Sequence, residues 1–231
     1  MTDNPKTIWI ESQRHDGPHS EMASATLRRY AHENEDVVLR SSSGRGCMVV
    51  DGMSGYENGA LYAAVAAYAG LACLERGEGS RRAIDAASRA SRAASLVLRW
   101  HGGSAGVAVE QLGKVIEWSC KGDVAVFLLS DGAASMLSRP HCYGDVLTDY
   151  IGSEVRASKG DSGSIVLEQG QLVLIATDGV WKYLTPEQMG KAIQGEDLEE
   201  RAVNLVQAAI DRMTPDDATV VLIRAIQHPD S

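Results

Sequence analysis

The apolar positions of this chain fall into short runs separated by glycine and aspartate turns, the pattern of buried strands that end in tight turns. Residues 7–10 and 25–30 predict strands, with a polar loop over 15–21 and an acidic loop over 32–36. Residues 37–40 and 45–50 predict two more, joined through Ser41-Ser42-Ser43-Gly44 as a hairpin. An alanine-rich helix is predicted over 57–76. Gly77-Glu78-Gly79 breaks it, and Ser80 is the predicted N-cap of a second helix reaching about Trp100. Residues 104–110, 114–119 and 124–130 have the spacing of an antiparallel meander, with turns at Gln111-Leu112-Gly113, Lys121-Gly122-Asp123 and Asp131-Gly132.

Residues 137–159 have no clear period and read as loop with a short turn of helix. Residues 164–168 and 172–177 read as a hairpin around Gln169-Gly170-Gln171. Residues 186–193 predict a short helix with Thr185 as N-cap and Pro186 at its first position. A longer helix over 198–213 and a last strand over 217–226 complete the pattern. Strands arrive as hairpins and helices in pairs between them. That excludes a doubly wound parallel sheet and predicts an α+β fold of stacked antiparallel sheets covered by helices. Without a repeat, low-complexity segment or linker, residues 1–231 read as a single domain.

Composition changes this picture in a few places. One Phe against 23 Gly means a core of Ala, Val, Leu and Ile. A net charge of −9 argues against nucleic acid or an anionic membrane as partner. It suits side chains gathered around cations and equally a solvated acidic surface. Arg81, Arg82, Arg89, Arg92 and Arg99 on the second helix read as a wet face. Cys47, Cys73, Cys120 and Cys142 have no CxxC spacing and read as reduced thiols of a cytoplasmic protein. Residues 1–13 contain no apolar stretch of the kind a signal peptide needs. The longest apolar run, residues 60–74, is too short to span a bilayer.

The candidate chemistry lies at strand ends. Val49-Val50-Asp51-Gly52 and Ala176-Thr177-Asp178-Gly179 each finish an apolar run with Asp-Gly, and Asp216-Asp217 immediately precedes another run. Asp-Gly is also an ordinary turn dipeptide. Three carboxylates at three strand tips, however, can converge on a hard divalent cation, which takes carboxylate, carbonyl and water oxygens. His15, His19, His32 and His101 lack HxH or HxxxH spacing and read as surface or loop residues.

The order Asn34-Glu35-Asp36, Asp51-Gly52-Met53-Ser54-Gly55, Gly103-Ser104-Ala105, Lys121-Gly122-Asp123, Asp178-Gly179-Val180-Trp181 and Asp216-Asp217-Ala218-Thr219 resembles the metal-dependent protein phosphatases of type 2C. The match runs from about Asn34 to Ile226. The resemblance implies a four-layer αββα sandwich of two antiparallel sheets flanked by helix pairs. It implies hydrolysis of phosphoserine and phosphothreonine in proteins, with two Mn²⁺ or Mg²⁺ ions and a third, weaker position. Asp51 would bridge the two ions, the Gly52 carbonyl would bind one, and Asp178 and Asp216 would complete the other. Glu35 and Asp36 would hold metal-bound waters, and Asp123 would serve with Asp178 at the third position. Implied partners are phosphorylated proteins and a cognate serine/threonine kinase.

Four departures stand out. Ala31 occupies the place of the family's phosphate-binding arginine, which makes Arg29, two residues earlier, the candidate substitute for substrate phosphate. Met53 stands where one branch has a histidine. Lys182 stands where an acidic residue often follows the Asp178 motif. Residues 131–162 are short for the family's flap subdomain, which is expected to be reduced or absent. Two other functions suit the same residues: a catalytically silent homologue that binds or regulates phosphoproteins, and a hydrolase of small phosphate esters.

Overall fold

The structure, a computed structural model, describes residues 8–16, 20–29, 33–53, 58–99, 101–153 and 160–225, with backbone only at 8, 9, 28 and 29. Its elements run β1 (Ile8–Asp16), β2 (Ser20–Arg29), β3 (Asp36–Arg40), β4 (Gly46–Gly52), α1 (Gly59–Glu75), α2 (Ser80–Leu98), β5 (Ser104–Leu112), β6 (Val115–Lys121), β7 (Ala125–Ser130) and β8 (Ala133–Met136). There follow β9 (Cys142–Tyr143), β10 (Val146–Leu147), β11 (Asp161–Val166), β12 (Leu172–Ala176), α3 (Asp178–Trp181), α4 (Pro186–Ala192), α5 (Leu198–Asp211) and β13 (Thr219–Ala225). One sheet has the order β1-β2-β13-β12-β7-β8 and the other β11-β6-β5-β4-β3, every pairing antiparallel.

Side-chain alternation divides the apolar residues into three cores. Along β12, Leu172, Leu174 and Ala176 face the layer of α4 and α5, while Val173 and Ile175 face the second sheet. Along β4, Cys47 and Val49 point between the sheets, and Met48 and Val50 point to α1 and α2. A strand that fills a core on each face must be apolar at every position, which is why these runs are continuous. The three cores separate four layers, helix, sheet, sheet and helix, as expected for an α+β sandwich.

Several local expectations are corrected. β1 and β2 extend into the stretch read as polar loop, with 17–19 outside the described residues. β1 is an edge strand whose exposed Glu11, Gln13 and Asp16 suit a sheet border but carry no apolar signal. Its Arg14 pairs at 3.0 Å with buried Glu21, which also pairs with Arg224. The meander is interrupted: β6 belongs to one sheet and β7 to the other. Likewise β11 and β12 form no hairpin, because β11 pairs with β6 and β12 lies between β13 and β7. The stretch after β8 holds the small β9–β10 ladder in place of a helical turn among its described residues. Ser80 is the first residue of α2 rather than its cap, with its hydroxyl 3.2 Å from that of Ser119. Thr185 does cap α4: its hydroxyl accepts the Gln188 N–H while the Gln188 side chain accepts the Thr185 N–H. No described helix is long and apolar enough to cross a membrane.

Candidate metal centre

Antiparallel pairing brings the carboxylates together. The end of β12 lies beside the start of β13, so Asp178 and Asp216-Asp217 meet at one rim. The start of β3 lies beside the end of β4, with Asp36 directly opposite Asp51. At the same rim the chain crosses from β6 to β7 through Gly122 and Asp123. Gly122 sits at φ 91°, and a Cβ there would collide with Ala105, so only glycine takes this corner. Asp51, Asp123, Asp178 and Asp216 line one cavity of about 610 Å³, together with Gly52, Met53, Lys182, Tyr150 and Tyr183.

Hydrogen bonds from residues to which the sequence assigned no role hold the carboxylates in place. The buried Thr177 hydroxyl lies 3.1 Å from Asp36 Oδ2 and accepts the Thr219 N–H at 2.9 Å. Asn34 donates to Thr26 Oγ1 at 2.8 Å, and its Oδ1 accepts the Asp36 N–H at 2.8 Å. Thr26 and Thr219 hydroxyls are 2.7 Å apart, so this network ties the entry of β3 to the other sheet. Buried Asp217 accepts the Glu35 N–H at 2.9 Å and donates its own N–H to Asp216 Oδ1 at 2.9 Å. The Trp181 indole N–H donates to the Asp123 carbonyl at 2.7 Å and fixes the β6–β7 crossing against α3. Their signal was present in the spacing Thr177-Asp178 and Asp217-Ala218-Thr219, but it shows only once β12 and β13 are paired.

Not every expected residue reaches the cavity. Asp36, opposite Asp51 on the neighbouring strand, is not part of the cavity lining. Glu35 turns toward the start of α1, where a Cβ at Gly59 would strike its carboxylate. Gly52 ends β4, and its N–H donates to the Glu35 carbonyl at 3.1 Å. Arg29 is the last residue of β2, in register with Ile8, but its side chain and the whole of Ala31 lie outside the described residues.

The electrostatics of the rim point one way. Burial, followed by the charges of Asp36, Asp178, Asp216 and Asp123, pushes the Asp51 carboxyl well above the usual carboxylate range. Burial does the same to Asp36, against the hydrogen bonds of Thr219 and Thr177 and with the charges of Asp217 and Asp178. Asp123 and Asp216 are also raised, by burial first and then by Asp178. The buried Asp36 Oδ1 has no hydrogen-bond partner among the described residues. Carboxylate oxygens that are short of positive charge and of donors are the chemistry a hard divalent cation satisfies, so the residues fit such an ion. Among the described residues no three carboxylate, imidazole or thiolate groups already stand in geometry that encloses one ion. Like carboxylates hold each other apart, and the ammonium of Lys182 lies among them, 2.8 Å from Asp178 Oδ2 and 3.2 Å from Asp123 Oδ2.

No protein-family model matches this sequence, and no curated protein matches it significantly. Solved structures do resemble it. The catalytic domain of the serine/threonine protein phosphatase PstP, in complex with two manganese ions, shares 20% identity at a TM-score of 0.72, covering 95% of this chain and 99% of that one. The S. agalactiae serine/threonine phosphatase shares 18% at a TM-score of 0.76, covering 95% and 100%. The PPM Ser-Thr phosphatase MsPP from Mycobacterium smegmatis shares 18% at 0.67, covering 93% and 97%. The chain has the fold of the metal-dependent, type 2C (PPM) serine/threonine phosphatases.

Proposed function

We propose that this protein is a Mn²⁺- or Mg²⁺-dependent hydrolase of phosphoserine and phosphothreonine in proteins. The observation that carries the reading is the convergence of Asp51, Asp178 and Asp216 on one cavity at the rim of this fold, with the Asp51 and Asp216 carboxyls raised by burial first and by neighbouring carboxylates second. On this reading Asp51, the Gly52 carbonyl, Asp178 and Asp216 would hold the ions. Divalent cations there supply the charge that offsets phosphoryl oxygens and acidifies an attacking water. Asp36, held by Thr177, and Glu35 would hold waters bound to the ions. The short connection between β8 and β11 supports the reading of a reduced flap in a single domain, with Asp145, Val146 and Leu147 of its β9–β10 ladder lining the cavity. A phosphorylated protein is the partner this implies, with a serine/threonine kinase as its source. The free cysteines Cys47, Cys73, Cys120 and Cys142 suit the cytoplasm.

The test is turnover of a phosphothreonine peptide by chelator-stripped protein, with and without Mn²⁺. Hydrolysis only with the metal is expected; undiminished hydrolysis in excess chelator would rule the mechanism out. Peptide binding without hydrolysis at any Mn²⁺ concentration would favour the silent, phosphoprotein-binding alternative. Arg29 is the proposed contact for substrate phosphate, since a guanidinium can donate two hydrogen bonds to phosphate oxygens. In the same assay Arg29→Ala is expected to raise KM more than it lowers kcat, and no change in either would remove that role.

A further inference from the structure

Lys182 follows α3 one helical turn after Asp178, and three separate elements present a carboxylate to it. Asp178, at the start of α3, accepts a hydrogen bond from its Nζ at 2.8 Å. Asp123, from the β6–β7 crossing, lies at 3.2 Å, and Asp145, from the turn between β9 and β10, at 3.5 Å. The Lys182 side chain is 21% exposed and that of Asp123 only 9%. The ammonium also stands 5.9 Å from the centre of the Trp181 ring, whose indole N–H holds the Asp123 carbonyl. One tryptophan therefore positions both the cation and the loop that carries its partner.

A lysine ammonium is a compact charge with three donors, and here carboxylates surround it. A divalent ion such as Mg²⁺ drawing on Asp123 and Asp178 would need their oxygens at about 2.0–2.1 Å, in the volume that Nζ fills. The two cations exclude each other. We propose that Lys182 is a tethered cation: its ammonium takes the place between Asp123 and Asp178 where a third divalent ion would otherwise bind. The protein then holds two ions, formed around Asp51 and Asp216, and keeps its outer charge at any metal concentration. The inference rests on the metal-dependent reading above. It assigns to Asp123 a lysine in place of a metal.

The experiment counts Mn²⁺ bound by chelator-stripped protein, using the electron paramagnetic resonance signal of the free ion. Wild type is expected to bind two ions. Lys182→Gln and Lys182→Ala are each expected to bind a third, weaker ion, and adding Asp123→Asn to either removes it again. Lys182→Arg, which keeps the charge, stays at two. Melting curves of each variant confirm the folded state, and the Gln variant keeps most of the side-chain volume should the Ala variant lose stability. Three ions in wild type, or no additional ion in a folded Gln variant, would overturn the proposal while leaving the two-ion reading intact. No ion bound by wild type would overturn both.

Discussion

Asp51 shows what a single residue contributes. It is opposite Asp36 on the neighbouring strand, where side chains lie about 4.5–5.5 Å apart and like charges oppose folding. Three further aspartates share the rim, so its charge lowers the stability of the metal-free protein. Asp51→Asn keeps the shape and removes the charge. In chelator this variant is expected to melt roughly 2–4 °C above wild type, about what 1 kcal/mol is worth in a chain of this size. With Mn²⁺ the order reverses, because wild type gains ions that the variant cannot hold, and turnover of the variant falls to background. A variant less stable than wild type in chelator would mean that Asp51 makes structural bonds that outweigh its repulsion. The sequence marked Asp51, Asp178 and Asp216 because each interrupts an apolar run at its end. It gave no role to Thr177, Thr219 or Trp181, which stand in the same motifs but depend on partners 42 to 141 residues away. Nor did an unfavourable letter in a motif, Lys182, disclose that its ammonium lies among three carboxylates.

At the scale of the element, α3 is the piece on which the site turns. It is a single turn, too short to leave a periodic signal, and no helix is expected there from the pattern alone. Gly179 lets it sit against the strand entry: a Cβ at that position would collide with the Asp217 carbonyl, which is backbone and cannot swing aside. Gly179→Ala is therefore expected to cost about 1–3 kcal/mol, the usual range for overpacking a tight contact. It should also displace Asp178, so that urea midpoint and Mn²⁺ affinity fall together. Unchanged affinity at reduced stability would show that the turn and the ligand are independent. Pairing was less legible than the strands themselves. The five residues between β11 and β12 have hairpin length, but Leu167 at the start of the link is 2% exposed and its N–H donates to the Lys114 carbonyl as the chain passes between sheets. Loop length does not distinguish a hairpin from a step across layers. The burial pattern does: β11 alternates half-buried and exposed at a sheet edge, whereas every residue of β12 is buried in a sheet interior.

The whole molecule binds two sheets and their helices around apolar cores, and its acidic groups collect at one rim. That separation makes the stability of the metal-free protein depend on pH with an unusual sign. Asp51, Asp36, Asp123 and Asp216 are all raised by burial first and then by neighbouring carboxylates, Asp178 among them each time, whereas in the unfolded chain they ionise at about pH 4. Between that value and their raised folded values, the folded state holds more protons than the unfolded state. Stability then falls as pH rises through the window, since its slope follows the protons bound unfolded minus those bound folded. The opposing groups are weak. Glu75, Glu78 and Glu187 are lowered by hydrogen bonds to Ser42, to Arg76, and to backbone and Thr185, and would lose stability on acidification. They are solvent-exposed, however, and exposed pairs contribute little. In chelator, the melting temperature is therefore expected to be higher at about pH 5.5 than at about pH 7.5. With saturating Mn²⁺ the gap between loaded and stripped protein should widen as pH rises, because metal binds the deprotonated carboxylates and protons compete with it. A stripped protein whose melting temperature stays flat or climbs over that interval would show that the rim carboxylates have already found their compensation, with Lys182 the first place to look.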